Sequence, residues 1–167
     1  MKKYKYIIGI DPDCDKSGFC LLDTSDRTVN ICSKTFPTLL DTLRTMQGIE
    51  GVIVIVEAGY LHAHNWHVNY KDSKAKAAAK GNAVGRNHEV ARKIVEMCKH
   101  YGIEVIEQTP LAKTWNGPDK KITHAEIKYF IQDIPPRTNQ EERDATLLAW
   151  NYSGYPIRVK PISARAK

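Results

Sequence analysis

Residues 52–57 read VIVIVE, apolar at every position until a glutamate closes the run. A strand with apolar side chains on both faces belongs in the middle of a sheet that is covered on both sides. The first strand of the chain, over 4–11, ends in a similar way. Ile8 and Ile10 point to one face, and Ile7, Gly9 and Asp11 to the other. Two strands that look buried thus each deliver a carboxylate where their apolar character stops. A carboxylate beside a core is costly unless it is paired or holds a metal.

The rest of the chain completes an α/β pattern. GFCLLDT (18–24) and TVNICSKT (28–35) read as strands joined by the short polar link Ser25-Asp26-Arg27, an antiparallel hairpin. Pro37 opens a helix carrying Leu39, Leu40, Leu43 and Met46, bounded by Gly48 and Gly51. Residues 58–82 are polar, aromatic and basic without an apolar period, and read as a loop with at most a frayed helix at 73–80. A helix over 84–101 places Val84, Ala91, Ile94, Val95 and Cys98 on one face. A fifth strand covers 103–107, and a basic loop covers 111–121. Thr123 with Glu126 forms a capping-box pattern that opens a helix with Ile127, Phe130 and Ile131 toward the core. A last helix, about 140–152, starts with Glu141, Glu142 and Asp144 and then turns apolar.

The length of 167 residues suits one domain. We expect it to span 1–153, followed by a basic, flexible tail at 154–167 that holds two prolines and no acid. The net charge of +6 makes an acidic partner plausible, nucleic acid being the commonest. No CxxC pair occurs among Cys14, Cys20, Cys32 and Cys98, which argues against a zinc knuckle. The apolar run at the N-terminus is too short for a signal-peptide core, and no stretch is long enough to span a membrane. The expectation is a cytoplasmic protein, in a bacterial cell or a phage-infected host, with reduced thiols.

If the first and fourth strands are parallel neighbours, Asp11 and Glu57 emerge at the same carboxyl edge, where open α/β sheets place ligands. A helix crossing that edge would bring Glu141 and Asp144, which share a face at i, i+3. Four carboxylates so close cannot all stay ionised unaided. Mg²⁺ prefers such oxygens, and a pair of ions about 3.5–4 Å apart serves phosphodiester displacement. No GxxxxGK[ST] loop and no HExxH motif is present, so no nucleotide cofactor is expected. Each acid alone has a plainer explanation: a strand-to-turn acid for Asp11, dipole-favoured acids at a helix start for Glu141, Glu142 and Asp144. Their joint occurrence carries the signal.

Four segments, GIDPDCDKSGFCLL (9–22), VIVIVEAGY (52–60), AVGRNHEVARKIVEMCKHYGIEVIEQTPLAKTWNG (83–117) and EERDATLLAW (141–150), resemble the RuvC-like Holliday-junction resolvases of the RNase H-like superfamily in order and spacing. The resemblance covers roughly residues 5–152. It implies a five-stranded mixed sheet in the order 3-2-1-4-5, strands 1–3 antiparallel, flanked by helices. It also implies a homodimer that cuts four-way DNA junctions by paired symmetric nicks, using two Mg²⁺ or Mn²⁺ ions per site. Asp11, Glu57, Glu141 and Asp144 fall on the acidic positions, with Glu141 in place of the usual Asp. Tyr60 falls near an aromatic that opens the junction centre. Lys113 and either Lys121 or His124 fall near basic residues that contact the scissile phosphate. The family's Gly after Asp-Pro is Asp13 here, which with Asp15 adds negative charge near the site or points to solvent.

Trp66 and Tyr70 among Lys71, Lys74, Lys76 and Lys80 fit either a base-stacking, phosphate-neutralising surface or a solvated lysine-rich helix. Trp115 between Lys113 and Lys120 has the same two readings. Arg86 and the rest of the 84–101 helix would join the DNA contacts. His62, His64 and His67 read better as a solvated or DNA-facing loop than as a metal site, because no cysteine or nearby acid completes a ligand set. Cys14 has no adjacent base to make it a nucleophile, and the other cysteines read as core. The expected activity is a metal-dependent crossover-junction endodeoxyribonuclease of recombination and repair. The alternatives are an RNase H-like nuclease acting on other branched DNA or RNA–DNA hybrids, and a non-catalytic DNA-binding relative.

Overall fold

The computed structural model describes residues 4–62 and 71–157. Its sheet has the order β3-β2-β1-β4-β5, from β1 (Tyr6–Asp11), β2 (Ser17–Asp23), β3 (Val29–Lys34), β4 (Val52–Glu57) and β5 (Glu104–Gln108). The first three strands are mutually antiparallel, while β4 runs parallel to both β1 and β5. With helices on both faces, the strand order and directions are those that the resemblance in the sequence implied.

The two-residue period of the strands sorts the core into two halves. Ile8, Ile10, Val54 and Val56 face one side, where they meet Leu39 and Leu43 of α1 (Phe36–Thr45) and Ala91, Ile94, Val95 and Cys98 of α2 (Lys74–His100). Ile7, Ile53 and Ile55 face the other. There they meet Ala145, Leu148 and Ala149 of α4 (Gln140–Tyr152), together with Ile127 of α3 (His124–Ile127) and Ile131. VIVIVE is central because both sets need it.

The observed helices correct the expected boundaries in two places. The helix expected at 84–101 and the loop expected at 58–82 share one continuous α2 from Lys74, with Ser73 capping its start through Lys76 N–H. Its first buried residue is Ala91. The 13 positions before Asn87, about 20 Å of helix, hold no buried residue and form an arm, while Asn87, His88 and Val90 already touch the body. Among the described residues this stretch buries no face, in keeping with its lack of an apolar period. Its Ala- and Lys-rich sequence propagates outward from the packed half on propensity alone. Conversely, α3 is a single turn, although its capping box at Thr123 and Glu126 is present.

Beyond α4, where the tail was expected to begin, the chain first lies against the core. Tyr155 packs edge-on against Trp150, and its hydroxyl donates to Thr24 O at 3.0 Å. Residues 158–167 lie outside the described residues. No described helix is long and apolar enough to cross a membrane.

Candidate active site

Ile10 pairs with Val56 in the parallel β1–β4 ladder, so Asp11 and Glu57 leave the sheet side by side at its carboxyl edge. Their odd-numbered positions put them on the face that carries Gly9, Ile53 and Ile55, beneath α4. Two glycines let α4 come down onto that face. A Cβ at Gly9 would lie 2.0 Å from Ala145 O, and one at Gly18 would lie 1.9 Å from Glu141 O. Gly18 is the residue opposite Asp11 in the β1–β2 ladder. The start of α4 is thereby seated over the carboxylates, with Glu141 and Asp144 among the charges that act on Asp11.

Glu142, the third acid of this turn, is used otherwise. It exchanges capping-box hydrogen bonds with Asn139 (2.8 and 2.9 Å) and accepts from the Ser33 hydroxyl at 2.7 Å, tying α4 to β3. Asn139 with Glu142 three residues on is the capping-box start signal of α4, additional to the acids followed by apolar residues.

The electrostatics show a site short of positive charge. Burial pushes the Asp11 carboxyl well above its ordinary range, and the charges of Glu57, Asp144 and Glu141 push the same way while Lys121 opposes them. Burial and Asp144 push Glu57 up to about 7 against the pull of Lys113 and Lys121. Lys121 Nζ lies 3.3 Å from Asp144 Oδ2. Burial works against its charge, but Asp144, Asp11 and Glu141 outweigh burial and raise its pKa. The other Asp144 oxygen, Oδ1, accepts from Gln140 Nε2 at 2.8 Å. Gln140 Oε1 in turn accepts from Arg143 Nη2 at 2.8 Å.

The loop that carries Lys121 is fastened at both ends. The Glu126 carboxylate accepts four hydrogen bonds, from the backbone N–H and side-chain amide of Asn116 and from the N–H and hydroxyl of Thr123, at 2.6–3.1 Å. Arg143 Nε donates to Ile122 O at 2.9 Å, and its Nη1 donates to Thr138 O. Gly117 accepts the close return of the chain, where a Cβ would lie 2.4 Å from Lys121 O. In the sequence Glu126 shows only as a capping residue, and Gln140 and Arg143 carry no signal of these contacts. Glu126 reaches Asn116 and Arg143 reaches Ile122 and Thr138, on segments that no local spacing announces, whereas the Gln140–Asp144 bond is an i, i+4 contact within α4.

Asp13, which stands where the resemblance leads one to expect Gly, is partly buried and engaged within its own turn and with α2, while Asp15 is exposed. Asp13 Oδ1 accepts from Asp15 N at 2.8 Å, and its Oδ2 accepts from Asn87 Nδ2 at 3.2 Å. Asn87 Oδ1 completes the pair by accepting from Cys14 N at 3.1 Å. The turn after Asp11 is thus latched onto α2. Asp13, Cys14 and Asp15 bring ligand atoms within 4.8 Å of one another, closer than any trio of the four acids among the described residues. Much of Asp13's acceptor capacity is already used in holding the turn.

Other sequence candidates are spread more widely. Of the two residues matched to the phosphate contact, Lys121 reaches the carboxylates. His124 instead shares a hydrogen bond with Thr138 at 2.8 Å, and the charges that act on it are those of Lys128 and Arg143. Lys113 is exposed but within electrostatic reach of Glu57. Tyr60 is engaged: its hydroxyl donates to Glu107 and Arg92 lies over its ring at 4.4 Å. Burial, then Glu107, pushes its phenol up to about 12.

Lys71, Lys74, Lys76 and Arg86 are exposed in or just before the arm, with Lys80 partly so. Asp72 pairs with Lys76 at 3.1 Å and with Lys80 at 2.7 Å. Trp115 takes the plainer of its two readings, stacking on Phe130 against the core. His62 is exposed, while Trp66, His64, His67 and Tyr70 lie outside the described residues.

No family model and no curated protein matches the chain. Among solved structures, it is similar to T. thermophilus RuvC in complex with Holliday junction substrate. The TM-score is 0.47 and the identity 13%, over 87% of this chain and 90% of that one. The fold class rests on the order and directions of the strands themselves.

Proposed function

We propose that the chain is a divalent-metal-dependent endonuclease that resolves four-way DNA junctions by paired nicks, acting as a homodimer. The observation that carries the reading is the convergence of Asp11, Glu57, Glu141 and Asp144 on one sheet edge, with Lys121 as the cation beside them.

The residues fit hard divalent cations. The donors are carboxylate oxygens, and burial plus mutual repulsion leaves Asp11 and Glu57 needing positive charge. Asp11 and Asp144 would hold one Mg²⁺ or Mn²⁺ ion, with Glu57 and Glu141 supporting a second. When bound, such ions supply Lewis acidity and nucleophile activation for phosphodiester hydrolysis.

The chain's own groups do the rest. Gln140 holds the Asp144 carboxylate in orientation. Lys121 and Lys113 offer positive charge where negative charge grows on the phosphate. The arm of α2, with Lys74, Lys76, Lys80 and Arg86, follows the phosphate backbone without reading bases. Two opposed strands cut symmetrically require two sites, which is what a second copy provides.

Asp11→Asn tests the reading. It should lower cleavage by on the order of 10³ while sparing or tightening junction binding, because it removes a negative charge facing phosphate. A folded Asp11→Asn protein that still cuts at the wild-type rate would sink the assignment. So would one that no longer binds the junction.

A further inference from the structure

We infer that Lys121 is the resident counter-ion of the carboxylate cluster, and that it leaves Asp144 for the substrate phosphate when a divalent cation takes its place. The inference rests on the metal-site reading above and adds a regulation of that same site.

Three features of the structure carry it. Lys121 Nζ is an ammonium within ion-pair distance of Asp144, at 3.3 Å, and its charge also acts on Asp11, Glu57 and Glu141. A lysine ammonium is a compact point charge on a flexible stem, so one group can serve several carboxylates. Second, the two Asp144 oxygens are divided. Oδ1 is fixed by Gln140, itself fixed by Arg143, while Oδ2 faces Lys121. Asp144 therefore keeps its position whether or not Lys121 is on it.

Third, the backbone around Lys121 is fastened while the side chain is not. Lys121 N donates to Pro118 O at 3.0 Å, Lys121 O accepts from Gly117 N at 3.0 Å, and Ile122 O is held by Arg143. The side chain itself is 30% exposed. It can swing toward solvent without moving the loop. A single, partly exposed ion pair is a weak contact, which a divalent cation bound by several carboxylates outcompetes. Without metal, the ammonium limits the repulsion among the acids. With metal, it is released beside the position where phosphate charge arrives, and metal loading and phosphate contact become linked.

The test is direct Mn²⁺ binding to the DNA-free protein, read by the electron paramagnetic resonance signal of free Mn²⁺, together with thermal unfolding. Lys121→Gln should bind Mn²⁺ about tenfold more tightly than wild type, since the competing charge is gone. It should also melt at a lower temperature without metal, and melt with wild type in saturating Mn²⁺. Lys121→Arg, which keeps the charge, should follow wild type in metal-free melting. Equal or weaker Mn²⁺ binding by Lys121→Gln would overturn the counter-ion role. Mn²⁺ binding that Asp11→Asn leaves unchanged would overturn the metal site itself, and the counter-ion role with it.

Discussion

Gly18 stands opposite Asp11 in the β1–β2 ladder, and the space a side chain at Gly18 would need is filled by the backbone carbonyl of Glu141. The absence of one Cβ thus sets the height of α4 above the acid it completes. Gly18→Ala should cost about 1–3 kcal/mol by overpacking, because the obstructing atom is backbone and cannot rotate away. Urea denaturation measures the loss. Cleavage should fall further than stability does, since the displaced turn carries both Glu141 and Asp144. Unchanged stability and unchanged cleavage would show that α4 does not depend on this contact.

Glu126 joins pH to the loop of Lys121. Burial works against its charge, but hydrogen bonds from Thr123 and Asn116 outweigh burial and hold its pKa below the ordinary 4.5. A carboxyl whose pKa is depressed by folding stabilises the fold above its unfolded pKa, and that contribution disappears as pH falls through the folded value. Glu126→Gln should therefore cost about 1–3 kcal/mol near neutrality, where one amide oxygen replaces a carboxylate that accepted four hydrogen bonds. The gap to wild type should close as the pH drops below 4.5 toward the depressed value. A gap that is constant across this range, measured by chemical denaturation, would mean the Glu126 charge contributes nothing.

The α2 arm should act through phosphates alone. Lys74→Ala and Arg86→Ala should each weaken binding to junctions of any sequence and flatten the slope of log affinity against log salt by about one. Lys76 and Lys80 already share Asp72, so replacing either should change the slope less. Fluorescence anisotropy over a salt series reads both effects. Sequence-dependent losses would instead assign base contacts to the arm.

The sheet and its acids were legible because strand alternation is local. Once Ile7, Gly9 and Asp11 share a face, and Ile53, Ile55 and Glu57 do the same, parallel pairing of β1 and β4 leaves one place for both carboxylates. The start of α4 was legible from its acids followed by apolar residues. The arm of α2 was not, because a helical stretch that buries no residue carries no periodic signal. Glu126, Arg143 and Asn87 were also not legible as anchors, since each reaches a segment the local pattern does not name. Asp13 was visible as a departure, but its use appeared only with Asn87 in place beside it.

The central claim is tested most directly by incubating a labelled, mobile four-way junction with the protein in Mg²⁺ and in EDTA, beside a linear duplex and an RNA–DNA hybrid. The account predicts paired, symmetric nicks in the junction, in Mg²⁺ only, with the duplex and the hybrid left intact. Junction binding without cutting in Mg²⁺ or Mn²⁺ would contradict it and leave a DNA-binding protein. Equal cutting of the hybrid would contradict the junction as substrate while leaving the nuclease site in place.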